Sequence, residues 1–188
     1  MTKAVEFLKN AILGKQVGAV SRSSKYVIKA VIKHIFGLDL QNIVEYGPGD
    51  GALTLELLKV LSPKGKMLVV EMDPNFVRVL KKINDRRLTV VQGKMQNIAK
   101  NLDRYGFKEV DLVLSSVPFS LIDKKEREEF VMFTHNTLVS RGKFIIFHQY
   151  SKIMERSLKK YFKNVSTSFE PRNILPCFIM CAEKTTDS

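Results

Sequence analysis

The residues best suited to chemistry stand in one run, Ile43-Val44-Glu45-Tyr46-Gly47-Pro48-Gly49-Asp50-Gly51-Ala52-Leu53-Thr54. An apolar stretch leads into glycines spaced G-x-G-x-G, and a helical pattern follows. Glycine lets the chain turn sharply and lets a ligand approach the backbone with no Cβ in the way. The N–H groups of such a loop, with a helix start behind it, can receive a carboxylate or phosphate. A glycine-rich turn can also do no more than join a strand to a helix. The next apolar stretch, Met67-Leu68-Val69-Val70, ends in Glu71, 20 residues beyond Gly51. An acid at the end of a neighbouring strand can accept hydrogen bonds from both hydroxyls of a ribose. Loop and acid together predict a nucleoside ligand bridging two strand ends.

Such a site needs strands that deliver both features to one end of a sheet. From residue 41 the pattern alternates: strands over 42–46, 66–72, 88–92, 111–115 and 143–150, helices over 52–61, 74–83, 124–139 and 153–162. Two further strands, 165–169 and 177–183, follow one another without a helix and predict an antiparallel hairpin at an edge. Runs such as Val-Val and Ile-Ile imply strands buried on both faces, as in a parallel sheet. The expected fold is α/β, a doubly wound, seven-stranded, mostly parallel sheet with an antiparallel C-terminal hairpin and N-terminal helices. Those helices cover 2–13, with Ala4, Val5, Phe7, Leu8, Ala11 and Ile12 at helical spacing, and a second beginning after Ser23-Ser24. In the second, Val27, Val31 and Ile35 form an inner face and Lys25, Lys29 and Lys33 an outer ridge. The chain divides into an N-terminal helical segment, 1–40, and a ligand-binding domain, 41–188.

The 188 residues are 45% hydrophobic, enough for a core, and carry 31 Lys and Arg against 19 Asp and Glu, a net +12. Residues 1–40 hold +5 of this and residues 151–163 hold +4. A polyanionic partner follows, either nucleic acid or an anionic membrane surface. No apolar run approaches the roughly 18 residues needed to cross a bilayer, and the N-terminus lacks the apolar core of a signal peptide. The two cysteines, Cys177 and Cys181, would lie about 13 Å apart on one strand, too far for a disulfide, and they lack partners for zinc. The expectation is a reduced, cytoplasmic protein, free or peripherally membrane-associated, with no metal.

A dinucleotide loop would read G-x-G-x-x-G. Glu45, two residues before a G-x-G-x-G loop, resembles instead the first motif of class I S-adenosylmethionine-dependent methyltransferases, and the alternating pattern over 41–184 is similar to their fold. The resemblance implies S-adenosylmethionine as cofactor. Its residues would be Glu45, Gly47, Gly49 and Gly51 in the loop, Glu71 on the ribose, Met72 against adenine, and Ser115. Where many relatives carry an acid for the adenine amino group, this chain has Lys94, which leaves Gln92, Met95 or the backbone for that contact.

The acceptor site would follow the fourth strand, at Ser115-Ser116-Val117-Pro118-Phe119-Ser120. Base-amino methyltransferases typically place Asn or Asp before the Pro and aromatic, and the aromatic stacks on the flipped base. Here Ser116 stands in the polar position, although Pro118-Phe119 could also simply pack under the sheet edge. Residues 16–24, 115–119 and 173–180, together with the loop, resemble bacterial phospholipid N-methyltransferases, which methylate phosphatidylethanolamine. That resemblance implies a phospholipid substrate at a membrane surface. An RNA adenine N6-methyltransferase is the alternative enzyme, and a basic membrane- or nucleic-acid-binding module retaining the fold is the alternative without turnover. Ser116, Phe119 and Tyr150 are the expected catalytic residues. Aromatic faces at Tyr26, Phe119 or Tyr150 would hold the methylated cation, and His148 either relays a proton or sits in the core.

Overall fold

The computed structural model describes residues 23–149, 151–173 and 176–186. The expected helix at 2–13, the start of the 16–24 segment and Tyr150 lie outside the described residues. The first described element is helix α1 (Lys25–Ile35). Ser24 caps it by accepting from the Val27 N–H at 3.4 Å, and Val27, Val31 and Ile35 are buried as their spacing predicts. Strands and helices then alternate: β1 (Leu40–Tyr46), α2 (Ala52–Val60), β2 (Leu61–Glu71), α3 (Pro74–Leu80), β3 (Leu88–Gln92), α4 (Met95–Ala99), β4 (Val110–Ser115), α5 (Lys124–Thr137), β5 (Leu138–Gln149), α6 (Glu155–Tyr161), β6 (Asn164–Glu170) and β7 (Cys177–Glu183).

The strands form one sheet in the order β3-β2-β1-β4-β5-β7-β6. The first five are parallel, while β7 runs antiparallel between β5 and β6. The seven-stranded, mostly parallel sheet closed by an antiparallel hairpin is therefore present, with β6 at the edge. Its two faces carry separate cores. Leu53 and Leu57 of α2 and Leu80 of α3 join α1 over one face; Met95 of α4, Phe130 of α5 and Leu158 of α6 cover the other. Because β2 and β3 step outward on one side of β1 and β4 and β5 on the other, the order reverses between β1 and β4. A crevice opens at such a reversal, beyond the carboxyl ends of the strands.

Two helix ends differ from the sequence pattern for one reason. Leu61 and Leu138 continue the helical periodicity of α2 and α5, yet both leave the helix in extended conformation and pair with Leu40 and Val110. Buried at the far end of the sheet, they satisfy backbone groups that would otherwise be stranded there. Arg87 reinforces the first handover by donating to the carbonyls of Leu58 and Leu61 at 2.8 and 2.9 Å. Helix α3 stops at Leu80, three residues short of the expected end. Helix α4 and short 3-10 turns at Leu102–Tyr105 and Phe119–Leu121 are too brief to show a period in sequence. Cys177 and Cys181 both lie on β7, buried and free.

Candidate active site

The glycine loop leaves β1 at the reversal point, and its three glycines all have positive φ: 73° at Gly47, 58° at Gly49 and 82° at Gly51. At two of them the space is also closed. A Cβ on Gly47 would stand 3.3 Å from Ser116 Oγ and Val117 Cγ2, and one on Gly51 would stand 2.9 Å from Leu80 Cδ2. The loop is thus compressed between the segment after β4 and the helix after β2. The Gly47 N–H donates to the Val70 carbonyl at 2.9 Å, and the Gly51 N–H to the Pro48 carbonyl at 3.0 Å.

Glu71 ends β2 beside the loop. One carboxylate oxygen accepts the N–H groups of Met72 and Asp73 at 2.8 and 2.9 Å, the other the Gly49 N–H at 3.0 Å. The acid found by its spacing is therefore tied to the loop itself and held in one orientation. The second oxygen has a single protein donor, which leaves it acceptor capacity for a hydroxyl. Met72, next in the chain, is 64% exposed at the same strand end. Of the side chains the resemblance left for adenine, Met95 is buried and Gln92 is exposed, and Lys94 precedes α4 with no side-chain capping bond.

Glu45 is 3% exposed on β1 and accepts the Thr54 hydroxyl at 2.7 Å. Burial pushes its carboxyl up to about 7, with the nearby charge of Glu71 adding to the rise and the Thr54 hydrogen bond opposing it. No cation forms an ion pair with it among the described residues. A buried carboxyl short of a cation beside an orienting acid and a backbone cradle fits S-adenosylmethionine, which carries an ammonium, two ribose hydroxyls and a carboxylate. Thr54 closes the glycine run without a role assigned from sequence; a lone hydroxyl between Leu53 and Leu57 on the buried face of α2 is its signal.

The acceptor segment is bonded directly to the loop. The Ser116 N–H donates to the Tyr46 carbonyl at 3.1 Å, and the Ser116 hydroxyl donates to the carbonyl of Gly47. With its proton committed there, Ser116 Oγ keeps lone pairs with which to accept a hydrogen bond. Ser115 is fully buried, and its side chain accepts from the Val117 N–H at 3.5 Å. Phe119 is 0% exposed, its ring 5.8 Å from that of Phe130 and 6.4 Å from that of His148. In this packing the ring lies beneath the acceptor segment, buried against Phe130 and His148. Arg127 on α5 braces the turn by donating to the Phe119 carbonyl at 3.2 Å.

His148, at the end of β5, is buried, and burial lowers its imidazole pKa against opposing hydrogen bonds to the backbone at Gln149 and Ser151. It packs in the core against Phe119. The ring of Tyr26 has Arg172 Cζ at 4.5 Å and Lys25 Nζ at 5.3 Å from its centroid, so cations of the chain itself already occupy it. The structure brings together Glu45, Gly47, Gly49, Gly51, Glu71, Met72 and Ser116 at one strand end, with Ser115 and Phe119 buried beneath them.

A family model described as ribosomal RNA adenine dimethylase matches residues 22–135, more than half of the chain. An ornithine lipid N-methyltransferase of Singulisphaera acidiphila is 25% identical over 165 residues, covering 87% of this chain and 86% of that protein. Ribosomal RNA small subunit methyltransferase A of Mycoplasma capricolum is 35% identical over 82 residues, but these are 42% of this chain and only 29% of that protein. Among solved structures, a precorrin-6y C5,15-methyltransferase of Geobacter metallireducens superposes with a TM-score of 0.68 at 16% identity, over 87% of this chain and 90% of that one.

Proposed function

From a chain that belongs to the ribosomal RNA adenine dimethylase family and is an S-adenosylmethionine-dependent methyltransferase, we propose methylation of the amino headgroup of a membrane lipid. Phosphatidylethanolamine and ornithine lipids offer the required amine. The observation that carries this reading is the extent of the likeness to the lipid enzyme, which takes in nearly all of both chains. The RNA methyltransferase likeness takes in less than a third of its relative. Ser116 points the same way, since a single short hydroxyl replaces the amide or acid expected for a base amine.

S-adenosylmethionine supplies a methyl group on a sulfonium, ready for displacement by a lone pair. The chain's own residues bind and orient. Glu71 accepts from the ribose hydroxyls, with the N–H groups of Gly49, Met72 and Asp73 fixing its carboxylate. Glu45 takes the ammonium and Thr54 holds that carboxyl in place. Ser116 Oγ accepts an N–H of the acceptor amine and so aims its lone pair. An alkylamine has a pKa near that of lysine, about 10.4, and must lose a proton before it can attack. Alignment of the reacting atoms is the main contribution expected of such a site.

The family match to RNA adenine dimethylases supports a second reading, adenine N6 methylation. One experiment separates them: the enzyme is offered labelled cofactor with phosphatidylethanolamine, an ornithine lipid, or ribosomal RNA. Label in either lipid is the expected result, and label in RNA alone would overturn the proposal.

A further inference from the structure

Aromatic side chains and cations gather at one corner of the sheet, at the same end as the glycine loop. Strands β5 and β6 run toward that end and β7 runs away from it. Phe169 late in β6 is therefore level with Phe178 early in β7, which is level with His148 at the end of β5. Directly opposed residues share a face. A row thus runs from Phe119 under the acceptor segment, through His148 and Phe178, to Phe169 at the sheet's outer edge.

Phe169 is 55% exposed, and its ring centre lies 5.0 Å from that of Phe178. Lys152 Nζ stands 5.0 Å from the centre of the Phe178 ring. Where α1 begins, on the other face of the same corner, Tyr26 carries Lys25 and Arg172 against its ring. Arg172 is paired with Glu170 at 2.8 Å. Lys25 and Lys152 have no carboxylate within ion-pair distance among the described residues.

We infer that this corner, built on Phe169, Phe178 and Tyr26 with Lys25, Lys152 and Arg172, docks on an anionic bilayer and turns the acceptor segment toward its lipids. The inference rests on the lipid reading above. An exposed ring adds apolar burial at the headgroup boundary, and Lys152 on the neighbouring Phe178 ring and Lys25 on Tyr26 meet lipid phosphates. RNA fits less well. Successive bases need successive open ring faces, and of the three rings Phe169 alone is exposed, Phe178 having Lys152 over its face and Tyr26 two cations. Phe36 is more exposed, at 88%, but it lies where α1 turns into β1, at the opposite end of the sheet. Docking there would hold the site away from the membrane.

The test is co-sedimentation of the full chain with phosphatidylcholine vesicles, with and without phosphatidylglycerol. The variants are Phe169→Thr, the double variant Lys25→Gln/Lys152→Gln, and Phe36→Thr as the control at the far end. Threonine keeps strand propensity at the exposed edge position. Wild type should bind the anionic vesicles and release with salt. Phe169→Thr should weaken that binding about tenfold, the worth of a half-exposed ring. The double variant should weaken it by more, at about fivefold for each charge, and Phe36→Thr should leave it unchanged. Calorimetry of S-adenosylmethionine binding to each variant shows that the folded site is intact. The inference is overturned if wild type ignores phosphatidylglycerol, if Phe169→Thr and Phe36→Thr behave alike, or if Phe169→Thr loses binding to an RNA hairpin instead. Methyl transfer to detergent-dispersed lipid is read separately. Failure there with Phe169-dependent vesicle binding condemns the substrate reading alone, whereas success there with Phe169-independent binding condemns this corner alone.

Discussion

Glu45 carries the sharpest chemistry of any single residue. Its carboxyl, about 4.5 in the unfolded chain, rises to about 7 when buried without a cation. A raised carboxyl stabilises the fold fully below about pH 4.5, and that contribution is lost as pH climbs through 7. Across this window the loss reaches about 3 kcal/mol. Glu45→Gln does not titrate, so its melting temperature relative to wild type should rise between pH 4.5 and 7 and then level off. The same variant should bind S-adenosylmethionine about tenfold or more weakly at pH 8, because an ammonium would lose its charged partner. Thermal melts over pH and calorimetry at pH 8 check the two halves. A flat melting difference would show that Glu45 is not held protonated, and unchanged affinity would remove it from the cofactor site. The spacing of Glu45 and Glu71 was legible in sequence, but neither Thr54 beneath the one nor the Gly49 N–H on the other was. Those contacts join residues 9 and 22 apart through the fold.

Among elements, the turn from β1 into α2 is the one that cannot be relaxed. Gly51 sits at the start of α2 with φ 82°, and a methyl group there would stand 2.9 Å from Leu80 Cδ2 on α3. Backbone strain and crowding act together, so Gly51→Ala should destabilise the protein by about 1–3 kcal/mol and weaken cofactor binding by shifting the loop. Denaturant unfolding with and without S-adenosylmethionine measures both. A substitution that is neutral in both would mean that the turn is mere connection. Strand and helix types were readable here because apolar periodicity over 7 to 14 residues is a local signal. The ends of α2 and α5 were not, since Leu61 and Leu138 are helical by pattern and become strand only through pairing with Leu40 and Val110. Phe119 belongs to the same class. Its position after β4 was evident, while its full burial against Phe130 depends on α5 lying over that face.

For the whole molecule, the site exists only when five parallel strands bring their ends together, so cofactor binding and folding are linked. At about a hundredfold excess over its dissociation constant, S-adenosylmethionine should add about 2.7 kcal/mol. For a chain of this size that is a rise of about 5–10 °C in melting temperature. Glu71→Ala should abolish most of the rise, and a full rise in that variant would take the ribose away from Glu71. The net charge of +12 acts at this scale too. It does not come from the residues proposed to hold the cofactor, Glu45 and Glu71, which are acids. By sequence it was concentrated in residues 1–40 and 151–163, and the fold sets Lys25 and Lys152, one from each stretch, at a single corner beside Tyr26 and Phe178. Sequence alone determined the alternating strands and helices, the glycine loop, the acid that ends the second strand and, through the resemblance these carry, the cofactor, because each is written in neighbouring residues or a fixed spacing. Only the tertiary structure decided that Ser116 bonds the glycine loop, that Phe119 is buried, and that Phe169 stands exposed beside Phe178. Those outcomes depend on which strands become neighbours, and strand order is set by the packing of both cores at once.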